Sequence, residues 1–167
     1  MYEPREDSFL LLKNIKPHIK PEDRVLDMGT GSGILAKEAL RFSKQVTAVD
    51  ISKEIPKNLN LGKVNLVHSD LFSNIKEKFN VILFNPPYLP SKGIRHLDLD
   101  GGRNGTEIIN RFLKQAKEHL ETKGKILLLC SSLNTDIEKI FTKYNYNFKK
   151  IDETSLFFEK LYVYELK

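Results

Sequence analysis

The chain has 167 residues, 40% of them apolar and 29% charged, with a formal net charge of +5. That is enough chain to bury a core as one globular domain, and no apolar run approaches the ~20 residues needed to cross a bilayer. The single cysteine, Cys130, excludes an internal disulfide or a cysteine metal cluster, and His18, His68, His96 and His119 show no ligand spacing, so no metal is expected.

The opening residues 1–7 are too acidic and too short of apolar side chains for a signal peptide, which makes a cytoplasmic protein the expectation. Residues 7–16 place Phe9, Leu10, Leu12 and Ile15 near one helical face. A short buried strand follows at 25–26, then a helix over 33–42, and strands at 45–49, 64–67 and 81–84. A helix over 105–121 is expected next, with Gly124 marking its exit, before a strong strand over 125–130. Cys130 falls in that apolar run, where it reads as a small core filler. A helix near 134–144 and strands near 147–152 and 160–166 complete the pattern.

Strands alternating with helices imply a parallel sheet covered on both faces. Residues 153–159 are too few for a crossover, which needs ~10–12, so the last two strands should pair antiparallel. The expected architecture is α/β: a mostly parallel seven-stranded sheet with one antiparallel strand near the C-terminus and helices on both faces, over 1–167 as one domain. Lysines interleaved with glutamates account for the mild basic balance as solvated helix faces, and direct nucleic-acid binding is not expected from it.

The stretch Val25-Leu26-Asp27-Met28-Gly29-Thr30-Gly31-Ser32-Gly33 reads as strand, glycine turn and helix start. Glycines admit positive φ and the close approach of a ligand, and helix-start N–H groups suit a carboxylate or phosphate. Asp50 ends the next strand, where an acid accepts ribose hydroxyls, with Ile51 beside it. Asp70 and Leu71 close the third strand in the same register. Gly31 to Ala36 also fits the G-x-G-x-x-A pattern of nicotinamide cofactors, so that alternative stays open on pattern alone. Asp27, just before the glycines, would repel a pyrophosphate but can pair with the ammonium of an amino acid. The arrangement resembles motif I of class I methyltransferases, whose Rossmann-like fold binds S-adenosylmethionine.

Asn85-Pro86-Pro87-Tyr88 is the most specific motif in the chain. Two prolines fix φ and remove two donors, so the carbonyls of Asn85 and Pro86 stand as acceptors beside the Asn85 side-chain oxygen. An incoming –NH2 group can give both hydrogens to such an arrangement, which points its lone pair along the line of attack. Tyr88 offers a flat face to an amide or a base. The motif implies methylation of a planar nitrogen. Residues 86–104, rich in proline and glycine, read as a functional loop.

Three stretches then resemble the HemK/PrmC protein-glutamine N5-methyltransferases, in particular their short archaeal–eukaryotic branch. They are Tyr2-Glu3-Pro4-Arg5-Glu6-Asp7-Ser8-Phe9-Leu10-Leu11, similar to the opening signature of that branch; Asn85-Pro86-Pro87-Tyr88 with Asp100-Gly101-Gly102-Arg103-Asn104-Gly105; and Leu156-Phe157-Phe158-Glu159-Lys160-Leu161. The resemblance implies that residues 1–20 form a helical segment covering the cofactor. It puts Ser8 with Asp27, Gly29, Thr30, Gly31, Gly33, Asp50, Ile51, Asp70, Leu71 and Asn85 at the cofactor. Without the resemblance, Asp7 and Ser8 read as helix-capping residues. The family substrate is the glutamine of the Gly-Gly-Gln motif in class I peptide release factors, which act in translation termination. The short branch also implies a small zinc-ribbon activator docked on the third strand, at Val64, Leu66 and Val67. Rival substrates are adenine N6 in DNA or RNA, for which the chain has no room for a target-recognition domain, and other protein side chains such as lysine.

Overall fold

Seven aliphatic runs become strands: β1 (Arg24–Met28), β2 (Gln45–Asp50), β3 (Asn65–His68), β4 (Phe79–Phe84), β5 (Leu120–Ser131), β6 (Phe148–Ser155) and β7 (Lys160–Leu166). The computed structural model describes residues 4–53, 62–92 and 99–167. Tyr2 and Glu3 of the opening signature, and Gly93 and His96 of the long loop, lie outside the described residues. The strands form one sheet in the order β3-β2-β1-β4-β5-β7-β6. Every neighbouring pair from β3 to β5 is parallel, and β7 alone runs against both its neighbours, β5 and β6. The sheet is therefore as expected, with the reversed strand next to one edge.

Alternation along the central strands sends side chains to two cores. Leu26, Met28, Ile82, Phe84, Ile126 and Leu128 meet α3 (Glu107–Ala116) and α4 (Ile137–Lys143), whose Phe112 and Phe141 are fully buried. Val25, Val81, Leu83, Leu127 and Leu129 meet α1 (Glu6–Lys13) and α2 (Ile34–Ala39) through Leu10, Leu11, Leu35, Ala36 and Ala39. A strand buried on both faces needs no polar positions, which is why the middle strands read as unbroken apolar runs. Cys130 is buried in the first core, as a filler residue would be, and desolvation pushes its thiol pKa up.

Helix ends differ from the sequence expectations. The helix expected over 105–121 stops at Ala116 and tightens into a 3-10 turn, Lys117–His119. Gly124 does not mark a helix exit. It lies inside β5, at a register shift opposite β4, where a Cβ would sit 2.9 Å from the Phe79 carbonyl oxygen. Residues 134–136 of the expected helix fall before α4, where Asn134 turns toward the loop after β4.

This topology creates one crevice. From β1 the chain continues to β2 on one side, whereas β4 lies on the other, so the loops after β1 and β4 diverge at their carboxyl ends. Such a switch point is where open α/β sheets bind ligands. The glycine turn and Asn85-Pro86-Pro87-Tyr88 both start there.

Candidate active site

Asp27 lies on β1 and is fully buried. Its Oδ2 accepts the Thr30 hydroxyl at 2.7 Å and the Ala36 N–H at 3.0 Å. Ala36 is in the first turn of α2, whose N-cap Gly33 has no side chain to offer. Asp27 therefore caps the helix from the neighbouring strand. Its Oδ1 is buried with no hydrogen-bond partner. Desolvation raises the Asp27 pKa to about 7, partly offset by the bonds from Thr30 and Ala36.

The glycine turn is built around this acid. Gly29, Gly31 and Gly33 have φ of 64°, 49° and 74°. At Gly31 the left-handed backbone excludes a side chain, and the space a Cβ would enter is open, its nearest neighbour 3.9 Å away. The Gly31 N–H donates to Asp50 Oδ2 at 2.9 Å, while Asp50 Oδ1 accepts the Ser52 N–H at 2.9 Å. Asp50 thus spans the glycine turn and the exit of β2, and Ile51 after it is half exposed. A buried orphan oxygen, a cradle free of side chains and an acid at the end of β2 fit the amino-acid and ribose ends of S-adenosylmethionine. A carboxylate at Asp27 does not fit a pyrophosphate.

Asp70 and Leu71 follow β3, tied to the site by the Ser69 N–H, which donates to the Asp50 carbonyl at 2.9 Å. Leu71 has a φ of 48°, in the left-handed region that costs a residue with a side chain. Asp70 is half exposed, and its Oδ2 takes a hydrogen bond from Arg111 of α3 at 2.7 Å. The sequence carries no sign of that pair, because the two residues are far apart along the chain.

Asn85 follows β4 directly and is oriented from the N-terminal segment. Its Nδ2 donates to Asp7 Oδ2 at 3.1 Å and to Ser8 Oγ at 3.3 Å. Asp7 and Ser8 are both buried, and Asp7 Oδ1 accepts the Ser8 N–H at 2.6 Å. With the –NH2 end committed to α1, the amide oxygen Oδ1 faces away from it. Asp7 is the residue that sequence reasoning undervalued. Sequence pattern alone reads it as a helix cap, and nothing local announces a partner after β4.

Pro86, Pro87 and Tyr88 continue from Asn85 along one wall of a cleft of about 230 Å3, which Leu156, Glu159 and Leu161 close from the β6–β7 hairpin. Asn134, after β5, clamps the loop by donating Nδ2 to the Tyr88 carbonyl at 2.8 Å and the Gly105 carbonyl at 3.1 Å. A Cβ at Gly105 would lie 1.9 Å from the Tyr88 carbonyl oxygen, so only glycine permits this contact. The Asp100-Gly101-Gly102-Arg103-Asn104-Gly105 stretch is thus the support of the loop, and Leu89 bridges to Asp100. Among the described residues no group of acids, histidines and cysteine is placed to hold a metal ion, and no helix is long and apolar enough to cross a membrane.

Comparison with known proteins gives the family and the fold. The family model for the methyltransferase small domain matches residues 6–158. A Methanocaldococcus jannaschii protein that carries the name protein N5-glutamine methyltransferase is 40% identical over 153 residues, covering 84% of this chain and 77% of that protein. A release factor glutamine methyltransferase of Rhodopirellula baltica is 34% identical over 79% of this chain, which spans only 52% of that enzyme. Among solved structures, the E. cuniculi Mtq2–Trm112 complex, responsible for methylation of the eRF1 translation termination factor, matches with a TM-score of 0.84 at 25% identity. That match covers 99% of this chain and 97% of that one.

The Asp27 carboxyl yields a test. Its folded-state pKa lies above the ordinary 3.8, so the stabilisation it lends is fully present below pH 3.8 and is lost as the pH rises through about 7. An ammonium at Oδ1 favours the carboxylate instead, so cofactor uptake at neutral pH releases a proton. Calorimetry in two buffers of different ionisation enthalpy should give different binding enthalpies for the native chain and equal ones for Asp27→Asn. Equal enthalpies for the native chain would exclude the pairing.

Proposed function

The chain belongs to the methyltransferase small domain family, and from that premise we propose that it methylates the side-chain amide of a glutamine in a peptide release factor. The acceptor in this reading is the glutamine of a Gly-Gly-Gln loop. The observation that carries the reading is the orientation of Asn85, whose –NH2 end is held by Asp7 and Ser8 so that Oδ1 is presented as an acceptor. Relatives named for N5-glutamine or release-factor glutamine methylation, and a structural neighbour that methylates eRF1, support the choice of substrate.

S-Adenosylmethionine supplies an electrophilic sulfonium methyl group. Asp27 Oδ1 would receive its ammonium, Asp50 its ribose, and Asp70 with the Leu71 backbone its adenine, against Ile51. Gly29, Thr30, Gly31 and Gly33 shape the turn beneath it, and Ser8 contacts it from α1. The N-terminal segment, of which residues 4–20 are described, would cover this ligand, and 1–167 would act as one methyltransferase domain. Cofactor and acceptor meet at Asn85.

Asn85 Oδ1 and the carbonyls fixed by Pro86 and Pro87 accept the two hydrogens of the glutamine amide. Its lone pair is then drawn out of conjugation and directed at the methyl carbon, with the plane of the amide against Tyr88. Bound there, S-adenosylmethionine would supply the methyl carbon as its bond to sulfur breaks, leaving a neutral thioether, and the methylated nitrogen would lose its extra proton to water. No strong base is required before attack, because the proton leaves only after the nitrogen has become positive.

Asn85→Ala should abolish transfer while cofactor affinity stays within about tenfold, ~1.4 kcal/mol. Asp7→Ala frees the Asn85 amide to turn over and should lower kcat by about 10- to 100-fold. Full turnover in either variant removes the role given to the Asn85–Asp7 pair.

A small activator subunit, as in the Mtq2–Trm112 complex, is part of the reading. Its place is β3, which lies at the edge of the sheet. Val64, Leu66 and Val67 are half buried and pack on the two cores, so the free backbone groups of the edge, more than these side chains, are what a partner strand would bind. Chain expressed without the activator should aggregate or lose activity; a soluble, monodisperse and equally active chain would end this part of the proposal. For the substrate, labelled methyl should appear on a release factor with an intact Gly-Gly-Gln loop and be absent from its Gln→Ala form. Label retained on the Ala form would assign the methyl to another residue.

A further inference from the structure

The β6–β7 hairpin ends in Leu156-Phe157-Phe158-Glu159, closed by the Leu156 N–H to the Glu159 carbonyl at 2.7 Å. Phe157 and Phe158 are 92% and 88% exposed, while the next most exposed large apolar side chain among the described residues, Phe9, reaches 53%. The two rings pack edge to face with centroids 4.6 Å apart, so they form one apolar knob. An exposed pair of this size, unlike a scattered surface leucine, marks a place where another surface is buried.

The knob is fixed to the catalytic loop. The Ser131 hydroxyl donates to the Glu159 carboxylate, and Lys160 and Ser132 exchange bonds, Lys160 N–H to Ser132 Oγ at 3.0 Å and Ser132 N–H to the Lys160 carbonyl at 2.8 Å. The Ser131 N–H donates to Asn134 Oδ1 at 2.8 Å, and Asn134 in turn holds the Tyr88 carbonyl. Leu156 and Glu159, on either side of the pair, line the same cleft as Asn85 and Tyr88. The two phenyl rings therefore stand at the rim of the reaction cleft at a set position relative to Asn85.

We infer that Phe157 and Phe158 are the docking wedge for the protein substrate, inserting into an apolar depression on the protein whose acceptor side chain enters the cleft. This rests on the reading that the acceptor is a protein side chain. A cleft of about 230 Å3 takes one side chain and its immediate backbone, and that contact alone gives little affinity or selectivity. Protein interfaces draw most of their energy from a few buried aromatic anchors ringed by polar contacts. The knob has that composition, with Glu159 and Lys160 beside it, and it continues the wall of the cleft.

The test is the Phe157→Ser/Phe158→Ser double variant, whose fold should be unchanged because neither ring is buried; an unaltered Tm checks this. With a release factor as substrate, KM should rise tenfold or more while kcat stays within about twofold. A short peptide containing only the Gly-Gly-Gln loop should be methylated by both proteins with the same kcat/KM. Native protein that transfers to the release factor, with KM unchanged in the double variant, overturns the docking role alone. Equal loss on the peptide also overturns it, since the rings would then shape the site and not the encounter. A native dimer that the double variant converts to monomers without change in KM assigns the rings to self-association and overturns it. Native protein that leaves the release factor unlabelled overturns the substrate reading and the docking role with it.

Discussion

The arrangement at the cofactor side of the molecule depends on one buried carboxyl group with a partner for only one of its oxygens. The glycines at 29, 31 and 33 give the turn after β1 its left-handed backbone, and the N-cap position of α2, Gly33, has no side chain to cap it. Asp27 supplies the cap from inside the sheet through Oδ2, and this commitment leaves Oδ1 sealed from water. A pKa displaced from 3.8 to about 7 corresponds to a cost on the order of 4 kcal/mol for holding the charge at neutral pH. A ligand that brings a cation to Oδ1 would recover part of that cost, which is the basis proposed here for taking up an amino-acid ammonium.

The proposed catalytic side follows a different logic, in which described groups on either side of the Asn85 side-chain oxygen are held by other parts of the chain. Asp7 and Ser8 hold the Asn85 –NH2 group, Asn134 holds the Tyr88 carbonyl, and Gly105 approaches that carbonyl closer than any other residue could. Two prolines remove donors that would otherwise need partners. Because Asp7 and Ser8 stand on α1, the helix that packs over the second core also sets the rotamer of Asn85. Loosening α1 would disturb cofactor coverage and acceptor geometry together.

Much of this was legible in the chain and some was not, for reasons of range. The strand–glycine–helix unit, the acids after β2 and β3 and the motif at Asn85 announce themselves because each depends on neighbours within a few residues. The strand runs were legible because central parallel strands are buried on both faces. Gly124 was misread because a glycine after a helix and a glycine at a register shift look alike in one dimension; the Phe79 carbonyl that decides between them is in another strand. Asp7 at Asn85, Arg111 at Asp70 and Asn134 at Tyr88 all join residues more than 40 positions apart. Local pattern carries no trace of such pairs.

The chemistry of the cleft also distinguishes among nitrogen acceptors. Arg5, Glu6, Asp7 and Glu159 stand in its lining, three acidic side chains against one guanidinium. A lysine entering there arrives as an ammonium, and nearby acids favour that protonated form, which has no lone pair for attack. An adenine amino group is electronically close to an amide, but it comes attached to a phosphate chain, and acids with an apolar knob at the rim do not suit a polyanion that needs cationic contacts. A glutamine amide arrives neutral, on a flexible stem with no charge nearby. What it lacks is a lone pair free of conjugation, and two fixed acceptors on its two hydrogens provide that. The orientation of Asn85 thus favours a planar, neutral nitrogen, and the charge of the rim favours a glutamine amide among such acceptors.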